Sequence, residues 1–126
     1  MADGFPKTRL RIVLAPGVAF GPGKADLLQG IAETGSIRAA GNRLRMSYKR
    51  AWSLVGDMNT QMAEPVVVTE KGGSGGGGGS RLTPFGEVLL TRFRKIEVRL
   101  VQEAAEDLAS LAAMAKPPLA TAENAE

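Results

Sequence analysis

This 126-residue sequence contains neither Cys nor His. A disulfide framework, a Cys/His zinc site, a Ser-His-Asp triad and a Cys-His dyad are therefore excluded. Gly21-Pro22-Gly23-Lys24 stands between a strand-like and a helix-like segment, the setting of a phosphate-binding loop. The pattern G-x-x-x-x-G-K-[ST] needs Gly where Val18 stands and Ser or Thr where Ala25 stands, so the segment reads as a turn and helix start. Glu33, Asp57, Glu64 and Glu87 have no paired spacing suited to acid–base work and read as surface charges. No catalytic residue, metal ligand or cofactor is expected.

The cations are more informative. Ser47-Tyr48-Lys49-Arg50 opens a segment whose Ala51, Leu54, Val55, Met58 and Met62 fall on one helical face. At the first turn of a helix set in a major groove, Lys49 and Arg50 can bond guanine O6 and N7, and Tyr48 and Ser47 can bond phosphate or base. The free N–H groups of that turn favour phosphate as well. A solvated helix face is the competing reading for Lys49 and Arg50. Tyr48 suits contact or packing equally, and Trp52 is expected as a partly buried anchor between helices rather than a base-stacking platform.

The elements that must position these side chains follow from punctuation and period. Arg9-Leu10-Arg11-Ile12-Val13-Leu14 suggests a short strand stopped by Pro16-Gly17. Leu27, Leu28 and Ile31 predict a first helix over 24–34 with Gly35 as its stop. Ser36 is an N-cap for a short second helix carrying Ile37, Ala40 and Leu44, and Ser47 caps a third over 48–62, ending before Pro65; DNA phosphate is the expected occupant at both helix N-termini, which makes Ser36 as well as Ser47 a candidate DNA contact. Helix, tight turn and helix is the order of a helix-turn-helix, with Arg38, Arg43 and Arg45 adding charge around the turn as backbone contacts.

Val66-Val67-Val68-Thr69, a Gly/Ser stretch over 72–80 and Arg81-Leu82-Thr83 read as a long-looped hairpin, the wing of a winged helix. Lys71 and Arg81 flank its tip, where cations meet phosphates and glycines allow close approach; a loop without contacts is the competing reading. Thr83-Pro84 starts a last helix. Leu89, Phe93, Ile96, Leu100, Ala104, Leu108 and Leu111 recur along it to about residue 115. So long an apolar stripe on so small a domain predicts a second copy as its mate, with Leu89, Phe93, Ile96, Leu100 and Leu108 at the dimer interface.

The expected fold is thus mainly α with a small β-wing. Its parts are a flexible arm (1–9), a winged helix-turn-helix (10–84), a long dimerisation helix (85–115) and a disordered tail (116–126). The chain is 44% hydrophobic and 23% charged, ordinary globular usage. Its net charge of +3 is unevenly spread: +5 over 1–60, +2 over 61–100 and −4 over 101–126. A basic body with an acidic end suits a polyanionic partner. With no spanning segment and no convincing cleavage site after 12–20, no membrane partner is expected and the cytoplasm is the expected compartment.

Taken together, Leu27-Leu28, Gly35-Ser36-Ile37, Met46-Ser47-Tyr48-Lys49-Arg50-Ala51-Trp52, Met58-Asn59, the Gly-rich loop and Leu82-Thr83-Pro84-Phe85-Gly86 resemble the N-terminal DNA-binding domain of the ModE family, molybdate-responsive transcriptional regulators of bacteria. LysR-type regulators have a related winged domain with less of this signature. The resemblance covers about residues 10–100 and implies native glycines, a dimeric winged helix-turn-helix, a recognition helix opening at Ser47 to Trp52, and double-stranded DNA as partner. Full-length members continue into a molybdate-binding module, for which the sequence after the long helix has no counterpart. Molybdate sensing is therefore not carried over, and a separate molybdate-sensing protein is the expected source of any such response. An architectural DNA-binding or interaction module dependent on that partner is the alternative.

Overall fold

The computed structural model describes residues 4–70 and 79–117. Lys71, residues 72–78 of the expected wing tip, residues 1–3 of the arm and most of the tail lie outside the described residues. The fold is mainly α-helical with two small antiparallel hairpins and a C-terminal helix. It divides into two compact units, residues 9–96 and residues 4–8 with 97–117, which are described separately.

In the first unit β1 (Ile12–Ala15) pairs with β2 (Val18–Phe20), α1 (Pro22–Thr34), α2 (Ile37–Arg43) and α3 (Tyr48–Gln61) follow, and β3 (Val67–Glu70) pairs with β4 (Gly79–Leu82) before α4 (Pro84–Glu103) begins. Pro16-Gly17, expected to stop a lone strand, instead turns β1 into β2. Gly17 takes a left-handed φ of 76°, and the register slips between Val13 and Ala15.

The helix boundaries from α1 to α3 have identifiable causes. Gly35 ends α1 in the left-handed region (φ 73°), its N–H donating to Ile31 O. Ser36 Oγ accepts from the Ala39 N–H and Ser47 Oγ from the Arg50 N–H, each at 3.0 Å, so both serines satisfy a first-turn donor. Between α2 and α3 the Arg45 N–H donates to Asn42 O and the Met46 N–H to Gly41 O. This paired closure puts the residue after the C-cap in the left-handed region, a place glycine usually fills. Here it is Arg45, at φ 58°.

The core gathers Phe20, Leu27, Leu28, Ile31, Ile37, Met58, Val66 and Phe93 from six segments. Phe20 and Phe93 meet edge to face at 5.1 Å, joining the first hairpin to α4; Arg94 pairs with Asp26 of α1 at 2.9 Å. Burying a side chain of this size stabilises the fold by about 1.5–3 kcal/mol. Phe93 is 3% exposed, so its surface is already used inside its own domain, and Leu89 also packs against that core. Phe93 therefore lacks the free surface that the expected dimer stripe assumes, while Leu89 keeps part of its own; on α4 of this unit the exposed large apolar side chains are Val88 and Ile96.

In the second unit the expected single long helix is interrupted. Ala104 leaves helical geometry (φ −101°, ψ 18°), and α5 (Ala105–Ala113) starts anew with Glu106 and Asp107 in its first turn. Leu100 and Leu108 are half-buried, while Val98, Val101, Leu111 and Met114 are exposed. Among the described residues no helix is long and apolar enough to cross a membrane.

Candidate nucleic-acid interface

Two sets of hydrogen bonds fix the wing, one tying it to α3 and the other closing its base where α4 begins. The Asn59 side chain on α3 accepts the Val66 and Val67 N–H groups at 2.7 and 3.1 Å through Oδ1 and donates to Val67 O at 3.0 Å through Nδ2. Thr83 at the other end of the hairpin donates its hydroxyl to Pro65 O, accepts the Gly86 N–H and gives its own N–H to Val66 O. Gly86 is required here, because a Cβ at that position would lie 2.1 Å from Val66 O. In β4 the Ser80 N–H donates to Gly35 O, joining the wing to the turn between α1 and α2. Asn59 had no role in the sequence reading beyond the resemblance, and its three bonds are to residues seven and eight positions ahead, a spacing with no periodic signature.

On this frame Arg38, Arg45, Ser47, Tyr48, Lys49 and Arg50 are all exposed, and Ser36 is half-buried. Among the described residues no carboxylate pairs with Arg45, Lys49 or Arg50. Arg43 differs: its guanidinium holds Glu33 at 2.5 Å and, with the Gln29 amide, keeps that carboxyl below its ordinary range. Arg81 pairs with Glu70 across the wing, so its charge is partly neutralised before any partner arrives.

Two recesses flank the exposed turn of α3. One, of about 350 Å³, is lined by Arg50, Met46 and Leu54 with Arg11, Gly21 and Lys24. The Lys24 Nζ donates to Ala19 O at 2.7 Å, which ties the start of α1 to the first hairpin. Arg11 was not singled out from sequence; only the fold brings it beside Arg50. The other recess, of about 300 Å³, is lined by Ser36, Ile37, Arg38, Tyr48, Trp52, Thr69 and Ser80. Arg38 lies over the Tyr48 ring at 4.1 Å, and Trp52 meets that ring edge-on at 5.9 Å. At 39% exposed, Trp52 is an open wall of this recess rather than an anchor between helices.

No group of three or more His, Cys, Asp or Glu side chains among the described residues is placed to bind a metal. A capped helix-turn-helix followed by a clamped two-stranded hairpin defines a winged helix-turn-helix domain. The solved CbnR_DBD–DNA complex has a similar fold, with a TM-score of 0.52 and 20% identity over 71% of this chain and 94% of that one.

The sequence relationship is closer to another group. The chain is 44% identical over 81 residues to the molybdenum-pterin-binding protein MopB of Rhodobacter capsulatus (64% of this chain, 30% of that protein). It is 37% identical over 82 residues to the molybdenum transport protein ModE of Azotobacter vinelandii (65% and 30%). With the transcriptional regulator ModE of Yersinia pestis it shares 42% identity over 69 residues (55% and 26%). No protein-family model matches the chain. It carries a winged helix-turn-helix domain related to that of the ModE, MopA and MopB proteins, and spans about 30% of the length of the first two of these relatives.

Proposed function

We propose that the chain is a sequence-specific, double-stranded DNA-binding transcriptional regulator that acts as a homodimer in the cytoplasm and does no chemistry. The observation that carries this reading is the first turn of α3: Tyr48, Lys49 and Arg50 are exposed together, and Ser47 holds their backbone. Lys49 and Arg50 have no carboxylate partner among the described residues. A helix end of this composition fits a major groove, where Arg and Lys read guanine. Arg38 and Arg45 beside it, with Lys71 and Arg81 on the wing, would meet phosphates and set the register. The relation to a transcriptional regulator of Yersinia pestis supports the same assignment.

The homodimer is supported by Val88 and Ile96 in one unit and Val98, Val101, Leu111 and Met114 in the other, apolar side chains exposed along α4, α5 and the residue after it. Two-fold pairing would present two recognition helices to half-sites about one helical turn apart, roughly 34–36 Å. The names of two relatives link them to molybdenum. A separate molybdate-sensing protein is the proposed source of any molybdate response. Molybdate added alone should then leave DNA affinity unchanged.

Footprinting of the full chain on genomic DNA tests the proposal. One or a few palindromic sites support the regulator. Uniform, salt-sensitive coverage would instead favour an architectural protein, and an absence of protection would refute DNA binding.

A further inference from the structure

The recess between the helix-turn-helix and the wing contains a buried hydroxyl that no other described residue engages. Ser80 is the buried polar residue of the described chain, at 8% exposed, and it lines this recess. Its N–H is engaged with Gly35 O, but its hydroxyl has no hydrogen-bond partner among the described residues. A buried polar group left without a partner costs roughly what a lost hydrogen bond costs, so such a group calls for a ligand or a role. Opposite it in the ladder stands Thr69, and across the recess the Arg38 guanidinium rests on the Tyr48 ring.

The lining has one cation, four hydroxyl side chains, two aromatic rings, one of them carrying one of those hydroxyls, and no carboxylate. That set suits an anionic oxygen cluster attached to an apolar ring. From these contacts we infer that the recess seats a single phosphodiester of the DNA backbone. Arg38 and the Ser80 hydroxyl donate to its oxygens, and the sugar packs against Trp52. Tyr48 is a positioning residue here: its ring fixes the guanidinium before DNA arrives, so less rotamer freedom is lost on binding. Its hydroxyl is not needed for this. The inference rests on the DNA-binding reading above and adds to it a particular phosphate seat beside the base-reading turn, sharing Tyr48 with it.

The test uses the full chain and a duplex containing its footprinted site, with each phosphate in turn replaced by a neutral methylphosphonate. For the unmodified protein one replacement should weaken binding about tenfold, and Arg38→Ala should bind the native and the replaced duplex alike. Tyr48→Ala should weaken binding by about three- to tenfold, the range expected from cation–π and ordering effects. Tyr48→Phe should restore it, and Arg38→Ala with Tyr48→Ala should be no weaker than Arg38→Ala alone. Ser80→Ala should lower affinity while leaving thermal stability unchanged or raised, since among the described residues its hydroxyl makes no hydrogen bond that the substitution would remove. Additive losses for Arg38 and Tyr48, or a methylphosphonate effect that persists in Arg38→Ala, would overturn the seat. If Arg50→Ala still erased sequence preference in that experiment, the DNA-binding reading would stand without it; a wild-type chain that binds no duplex would remove both.

Discussion

Arg45 occupies a backbone position that suits glycine, and replacing it separates stability from binding. The left-handed region costs an L-residue roughly 1–2 kcal/mol, while glycine loses about 0.5–1 kcal/mol more in chain freedom on folding. At φ 58° with both closing hydrogen bonds intact, Arg45→Gly should therefore stabilise the domain by a net ~0.5–1 kcal/mol. For a domain of this size that is a rise in Tm of about 2–5 °C by calorimetry. The same change removes an exposed cation from the turn between α2 and α3. If that cation meets a phosphate, the slope of log K against log salt should fall by about 0.9, and affinity should drop at every sequence alike. A variant that is more stable but binds more weakly is the expected result, the exchange that a strained residue at a functional surface represents. A destabilised Arg45→Gly would refute the backbone argument. A stabilised variant with an unchanged salt slope would show that the strain has no counterpart in binding.

Glu70→Gln, by freeing Arg81 from its partner on the wing, should strengthen DNA binding and steepen its salt dependence, measured by anisotropy over a salt series; unchanged binding would put Arg81 outside the interface. Asn59→Ala strands the Val66 and Val67 N–H groups and should cost about 2–4 kcal/mol in urea unfolding, whereas a loss under 1 kcal/mol would mean that the clamp is dispensable. Val101→Glu and Leu111→Glu, at exposed positions outside the core, should yield folded monomers by sedimentation with native circular dichroism. Mutants that remain dimeric would move the interface elsewhere.

The elements that carry the site were legible because their ends are marked by side-chain chemistry. Ser36, Ser47 and Thr83-Pro84 start helices and Gly35 ends one, each through a local hydrogen bond or backbone preference that a few residues suffice to specify. What was missed depends on distance. Val18-Ala19-Phe20 is too short to show a period, so Pro16-Gly17 looked like a stop until β2 was seen to pair back on β1. The stripe from Leu89 onward had the right phase, but periodicity does not say what a stripe packs against. Phe93 meets Phe20, some seventy residues earlier, and its side chain is spent in the domain core. The break at Ala104 has neither Gly nor Pro beside it, and Arg45 hides a left-handed turn behind an ordinary residue type. The two recesses, with Arg11 beside Arg50 and Arg38 over Tyr48, exist only once separate elements are assembled.

The central claim is that the first turn of α3 reads sequence. It is tested most directly by the ratio of affinities for the footprinted duplex and a scrambled one, at fixed salt, in the wild-type chain and in Arg50→Ala. A bidentate Arg–guanine pair is worth about 1–3 kcal/mol of discrimination, so the ratio should fall by roughly five- to 150-fold while binding to the scrambled duplex changes little. A ratio that Arg50→Ala leaves unchanged, or a wild-type chain that does not distinguish the two duplexes, would contradict the account.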